Sequence, residues 1–140
     1  MPPADGSSPP TSLRAFEPDV GSIAEARDEV ERILRRARPP DARPTLIGDV
    51  QLAVSELTSN AVAHGSGPFT LRIETTGESV HCSVTSWLGD AEPPLVRDRP
   101  RPTADARSGR GLAIVAALAT SVSTSVEDGH LVVTCEFAWR

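Results

Sequence analysis

A chain of 140 residues with 14 basic and 19 acidic side chains, formal net charge −5, is long enough for one hydrophobic core and too short for two. The acidic balance argues against a nucleic-acid module, whose affinity rests on basic side chains at phosphates. Every basic side chain is arginine, which excludes the lysine-dependent chemistries: a P-loop, a protein-kinase strand lysine and Schiff-base formation.

Residues 1–12 are rich in proline and poor in large apolar side chains, and read as a disordered lead to a single domain over residues 13–140. The chain opens without a basic region followed by an apolar stretch, and no apolar run reaches membrane-spanning length. A cytoplasmic protein with no membrane partner is therefore expected. Residues 13–17 suit a short strand. Ser22-Ile23-Ala24-Glu25 has the form of a capping box, and the helix it opens carries Val20, Ile23, Val30, Ile33, Leu34 and Ala37 on one side until Pro39-Pro40 ends it.

A second helix is expected from about residue 44 to residue 64, with Ile47, Val50, Val54, Leu57 and Ala61 as its apolar stripe and Gly65 as its stop. Two alternating segments follow, Phe69, Leu71, Ile73, Thr75 and then Val80, Cys82, Val84, Ser86, and they suggest a hairpin around Gly77-Glu78. Residues 87–107 lack periodicity and form a long loop, of the length that usually carries function. After Gly109-Arg110-Gly111 comes an apolar helix through Ala119. A last hairpin turns at Asp128-Gly129. Cys82 and Cys135 lack metal-ligand spacing and read as small buried side chains.

Three features carry chemistry. Glu56, Asn60 and His64 recur at four-residue steps, so a helix places them in one polar row bordering the apolar stripe. A carboxylate beside an amide oxygen suits a general base next to a hard cation such as Mg2+. Next, Ser108-Gly109-Arg110-Gly111-Leu112 opens a helix whose backbone N–H groups could approach an anion. Finally, five arginines against two aspartates between Arg97 and Arg110 make a local net charge of +3, which attracts a polyphosphate.

The order of these elements resembles the Bergerat-type ATP-binding domain shared by histidine kinases, gyrase B and MutL. The resemblance is closest to the anti-sigma factor serine kinases and their actinobacterial relatives. Residues 52–65, Leu52-Ala53-Val54-Ser55-Glu56-Leu57-Thr58-Ser59-Asn60-Ala61-Val62-Ala63-His64-Gly65, look like that family's N box. Residues 108–115, Ser108-Gly109-Arg110-Gly111-Leu112-Ala113-Ile114-Val115, look like its G2 box. The resemblance implies an α+β fold, a two-layer sandwich whose mixed, mostly antiparallel sheet is covered by helices on one face. It also implies ATP and Mg2+ as ligands and protein serine/threonine kinase activity.

By the same resemblance, Glu56 is the general base for a serine hydroxyl, Asn60 ligates Mg2+, and His64 lies at the nucleotide end of the row. Arg107, Ser108, Gly109, Arg110, Gly111 and Leu112 close over the triphosphate, and residues 87–105 form a lid. The implied partners are a sigma factor and an anti-sigma factor antagonist, and a homodimer is compatible with the reading. The family's adenine box departs here: Ser86 stands where an aspartate is expected, Leu88 where a glycine is, and Trp87 between them is a candidate to stack on the base. This departure motivates a second expectation, a partner-binding regulatory module with a degenerate nucleotide site. A third, the catalytic half of a sensor histidine kinase, would need a second polypeptide carrying the phosphoacceptor.

Overall fold

The computed structural model describes residues 11–89 and 106–140, the side chains of residues 106–110 excepted. In chain order the elements are β1 (Thr11–Phe16), α1 (Val20–Ala37), α2 (Leu46–His64), β2 (Phe69–Thr75), β3 (Ser79–Trp87), α3 (Ala106–Leu118), β4 (Ser121–Glu127) and β5 (His130–Ala138). The strands form one sheet in the order β1-β2-β3-β5-β4. Every neighbouring pair is antiparallel, which corrects the expected mixed sheet. The crossover through α3 does make β3 and β4 run the same way, but β5 lies between them and pairs with both.

The three helices pack on one face of the sheet: α1 against β1 and β2, α2 against β2, β3 and β5, and α3 against β4 and β5. Period-two alternation sends Phe69, Leu71, Ile73 from β2, Val80, Cys82, Val84 from β3, and Leu131, Val133, Cys135, Phe137 from β5 into that interface. Opposite them α2 buries Val50, Val54, Leu57 and Ala61, all of its expected apolar stripe except the half-buried Ile47, and Ala53 is buried beside them. Each large side chain so buried contributes about 1.5–3 kcal/mol. The helix α2 touches both α1 and α3, so it is the central bar of the helical layer.

Two boundaries differ from expectation. Asp19 is the N-cap of α1, its carboxylate accepting from the Ser22 backbone N–H at 3.1 Å, so helix α1 starts before the expected capping box and Ser22 is buried in its first turn. Val20, placed on the apolar side by periodicity, is instead 76% exposed. Strand β1 begins at Thr11, so Thr11 and Ser12 belong to the sheet rather than to the lead.

The buried side of α1 also carries a carboxylate. Glu29 is only 3% exposed; it accepts from the Ser12 hydroxyl and from the Arg32 guanidinium at 2.8 Å, with Arg14 at 3.8 Å. The Arg32 hydrogen bonds hold its carboxyl below the usual range against the opposing effect of burial. This cluster pins the edge strand β1 to α1, where an apolar pair would have been the simpler choice. At the opposite corner Asp128 and Gly129 both have positive φ, 51° and 77°, and form the two-residue β4–β5 turn that their sequence predicts. Among the described residues, no helix is long and apolar enough to cross a membrane.

Candidate functional site

On α2 the polar row emerges as expected, along the flank that faces α3. Glu56 and Asn60 are half-buried and His64 is exposed in the last turn. What closes over the row is α3. A Cβ built on Gly111 would lie 3.1 Å from Glu56 Oε2 and 3.4 Å from Asn60 Nδ2, so the two segments singled out in the sequence meet at this point. Any side chain larger than hydrogen at position 111 would push into the carboxylate. Gly111 is therefore what lets α3 come this close to the row.

Among the described residues, neither Glu56 nor Asn60 makes a side-chain hydrogen bond or ion pair. By contrast Thr58, two residues from each and fully buried, satisfies its hydroxyl on the Val54 carbonyl at 2.7 Å, and Ser55 does the same on the Gln51 carbonyl at 2.8 Å. Glu56 and Asn60 thus stand half-buried beside α3 with no protein partner among the described residues. No group of three or more His, Cys, Asp or Glu side chains among the described residues could hold a metal ion alone. The donor set fits a hard cation that takes one protein oxygen and completes its shell with phosphate oxygens and water.

Helix α3 starts at Ala106, earlier than the sequence pattern suggests, so Ser108, Gly109, Arg110 and Gly111 lie within its first two turns. The first four N–H groups of a helix have no partner inside it. Those belong to residues 106–109, and Gly109 is among them; Gly111, the sixth residue, contributes by its missing side chain. The expected lid over residues 87–105 lies outside the described residues apart from its first three, and so do the side chains of Arg107, Ser108 and Arg110. Leu112 is buried in the core beneath the groove.

The other end of the cleft is built where β3 passes under the end of α2. Ser86 faces the helical layer and is 6% exposed, between its strand partners Phe69 and Leu131. Its Cβ lies 3.5 Å from the position a Cβ on Gly65 would take, and that same Cβ would fall 2.4 Å from the Ala61 carbonyl oxygen. Glycine at 65 thus allows the chain to leave α2 directly over Ser86. Trp87 points the opposite way, as strand alternation requires. Its ring packs on Gly129 and edge-on to His130, 4.9 Å between centroids, and it is 40% exposed on the sheet face without helices. The Trp87 carbonyl accepts from Ser66 N–H at 2.8 Å and Leu88 N–H donates to the Gly129 carbonyl at 3.0 Å, tying this strand end to both neighbouring loops.

The sequence pattern reads Gly65 as a helix stop and as the last residue of the N-box resemblance. Its close approach to Ser86 leaves no local signal, because it depends on where a distant strand passes. Nine residues separate Glu56 from Gly65, about 13.5 Å along a helix axis. Along α2, Glu56 and Asn60 meet Gly111 at one point and Gly65 meets Ser86 at the other.

An antiparallel sheet covered on one face by three helices defines a two-layer α+β class. A family model described as a histidine kinase-like ATPase domain matches residues 16–136, and the chain belongs to that family. Membership in an ATPase family implies ATP binding. Among solved structures, the fold is similar to the RsbU and RsbW domains of Rv1364c from Mycobacterium tuberculosis, with a TM-score of 0.67 and 20% identity over 94% of this chain. The match covers 33% of that longer chain, so this domain spans about a third of its length. No curated protein matches the sequence.

Proposed function

We propose that this domain is a cytoplasmic regulator that binds ATP with Mg2+ and transfers the γ-phosphoryl group to a serine of a protein partner. The observation that carries the reading is the unpartnered Glu56 and Asn60 pair brought against Gly111. Asn60 supplies the amide oxygen for Mg2+, and Glu56 takes the proton from the attacking serine hydroxyl as its oxygen bonds to phosphorus and ADP leaves. Bound Mg2+ would offset phosphate charge. The chain contributes positioning and a base, the two things phosphoryl transfer asks of a protein. His64, Ser108, Gly109, Arg110 and Arg107 are assigned to the nucleotide by the resemblance described above. The same resemblance supports a sigma factor and its antagonist as partners and a homodimer as the assembly.

Calorimetry with ATP and Mg2+ is the first test, and saturable binding below millimolar nucleotide is expected. Absence of heat at millimolar ATP would remove the nucleotide reading. Labelled γ-phosphate should then appear on serine in a small antagonist protein encoded beside this one.

A second reading, sequestration of a partner without phosphoryl transfer, is favoured by one observation: the residues at positions 86 and 88, Ser86 and Leu88, are both uncharged. ATP binding with no label on any partner, and partner capture unaffected by Glu56→Gln, would select it.

A further inference from the structure

Two helices of the same layer show very different surfaces to water. Helix α1 carries Glu25, Arg27, Asp28, Arg32, Arg35 and Arg36 on its exposed side, with Arg35 paired to Glu31 at 2.7 Å. That is the ordinary condition of a helix facing solvent. The outward side of α2 holds Gly48, Leu52, Ser59 and Ala63 instead. This helix has no lysine or arginine and two carboxylates: Asp49 is spent on Arg43 at 2.6 Å, and Glu56, at the border of the strip, has no partner among the described residues.

Leu52 projects from the strip with 45% of its surface exposed, and a Cβ built on Gly48, one turn before it, would meet nothing within 4 Å. A single exposed leucine needs no explanation. A neutral strip that ends at an unpartnered carboxylate is different, because depletion of charge marks the part of a surface that a partner covers.

Spacing identifies the occupant. Leu52, Glu56 and Asn60 follow one another at four-residue steps, about 6 Å each along the helix axis. In-line displacement puts the attacking hydroxyl and the leaving ADP on opposite sides of the transferred phosphorus. With Asn60 on the phosphate side and Gly111 of α3 closing the flank of both residues, the approach left to an acceptor is the one past Leu52. In an extended segment, side chains two residues apart point the same way and lie about 6–7 Å from each other. That matches the step from Glu56 to Leu52, so a serine seated at Glu56 lays the side chain two residues away on Leu52.

Resting on the phosphoryl-transfer reading, we propose that the outward side of α2 is the acceptor-docking surface, and that Leu52 selects a partner segment with an apolar side chain two residues from its serine. The occupant is an extended, uncharged segment of the partner protein. Leu52 supplies apolar contact, the small residues around it let the partner backbone come close, and Glu56 takes the serine proton as the serine oxygen bonds to phosphorus and ADP leaves. Choice of partner and activation of its hydroxyl then sit one helical turn apart.

The probe is a degenerate library of serine peptides, offered with labelled ATP and Mg2+ to the full chain as native protein, Leu52→Ala, Leu52→Glu and, on the charged side of α1, Arg35→Ala. Native protein should label peptides with leucine, isoleucine, valine or methionine two residues from the serine. For the best of these, Leu52→Ala should raise KM about four- to fifteenfold, the worth of one to two buried methylenes, and leave kcat within about twofold. Leu52→Glu should move the preference at that position to arginine and lysine, and Arg35→Ala should move nothing. Calorimetry with the same peptide, its serine replaced by alanine, should show the same loss in Leu52→Ala, with ATP affinity within about twofold of native. Leu52 is exposed, so these variants keep the fold.

Labelled peptides without a flanking preference, or a preference that Leu52→Glu does not move, would overturn this inference and leave phosphoryl transfer standing. An equal effect of Arg35→Ala would overturn it in the same way. If ATP binds and no peptide is labelled, both readings fall together.

Discussion

The two ends of the cleft are made by the same helix and differ in what they leave unpaired. At the α3 end, α2 presents a carboxylate and a carboxamide, and a glycine on the facing helix keeps the space beside them open. At the β3 end, α2 stops on a glycine directly over a buried neutral hydroxyl within an apolar wall. The first end keeps a carboxylate and a carboxamide, and among the described residues the second shows a neutral hydroxyl. On the proposed reading, this difference assigns the two tasks of a nucleotide site, holding phosphates and reading a base, to separate contacts that can be weakened separately. Breaking the comparison therefore means changing one end and asking whether the other notices.

The largest effect belongs to Glu56. If it is the general base, Glu56→Gln should lower phosphoryl transfer by a factor of about 10²–10⁴ while ATP affinity stays within about twofold, because removing a base acts on the transition state. Rates of label transfer beside calorimetric affinities check this. A matching loss of affinity would instead make Glu56 a ground-state contact and blur the division of tasks.

Next comes the pair of glycines, where one substitution at each end should give different phenotypes. In Gly65→Ala the new methyl meets the Ala61 backbone carbonyl at 2.4 Å, and backbone cannot swing aside. Destabilisation of about 1–3 kcal/mol is expected from urea unfolding, the range for overpacking. In Gly111→Ala the methyl meets the Glu56 carboxylate at 3.1 Å, the far end of a flexible side chain. Stability should stay within about 0.5 kcal/mol, with alanine also favouring the helix, while displacement of the base costs turnover about tenfold. Equal stability losses at both positions would show that α3 is as tightly fixed on α2 as the chain is at the helix end.

Much of this arrangement was legible in the sequence because it rests on periodicity. The row Glu56, Asn60, His64 follows from the helical repeat, and the opposite facing of Ser86 and Trp87 follows from strand alternation. The Asp128-Gly129 turn was readable because only such residues accept two positive φ values in succession. The start of α1 was not, since Asp19 and Ser22 are both good caps one turn apart and tertiary packing of Ser22 decided between them.

Burial of Glu29 was invisible because its partners come from β1 and the next turn of α1, and an apolar count passes over a carboxylate. The fully antiparallel sheet depended on β5 inserting between two strands that run the same way, a choice made by the whole fold. For the same reason the contact between Gly111 and Glu56 could be proposed only through the resemblance: 55 positions separate them, 111 less 56, and no local pattern spans that gap.

The smallest effect sharpens the base end. Trp87 is the exposed aromatic side chain at this strand end and was a natural candidate to stack on a base. Its ring lies on the sheet face away from the helices, against Gly129 and His130, while the cleft runs along α2 on the other face. Trp87→Leu should therefore leave ATP affinity within about twofold, since a base in contact with Ser86 lies across the sheet from it; stacking on an aromatic ring, where it occurs, is worth about 1–3 kcal/mol per base. Its cost should fall on folding instead, because the ring covers the β4–β5 turn and its removal exposes Gly129 and loosens the strand end bonded through Leu88. An affinity loss beyond about tenfold would mean that the base reaches around the end of β3, and the division between a charge-handling end and a neutral, apolar end would have to be redrawn with an aromatic platform in it.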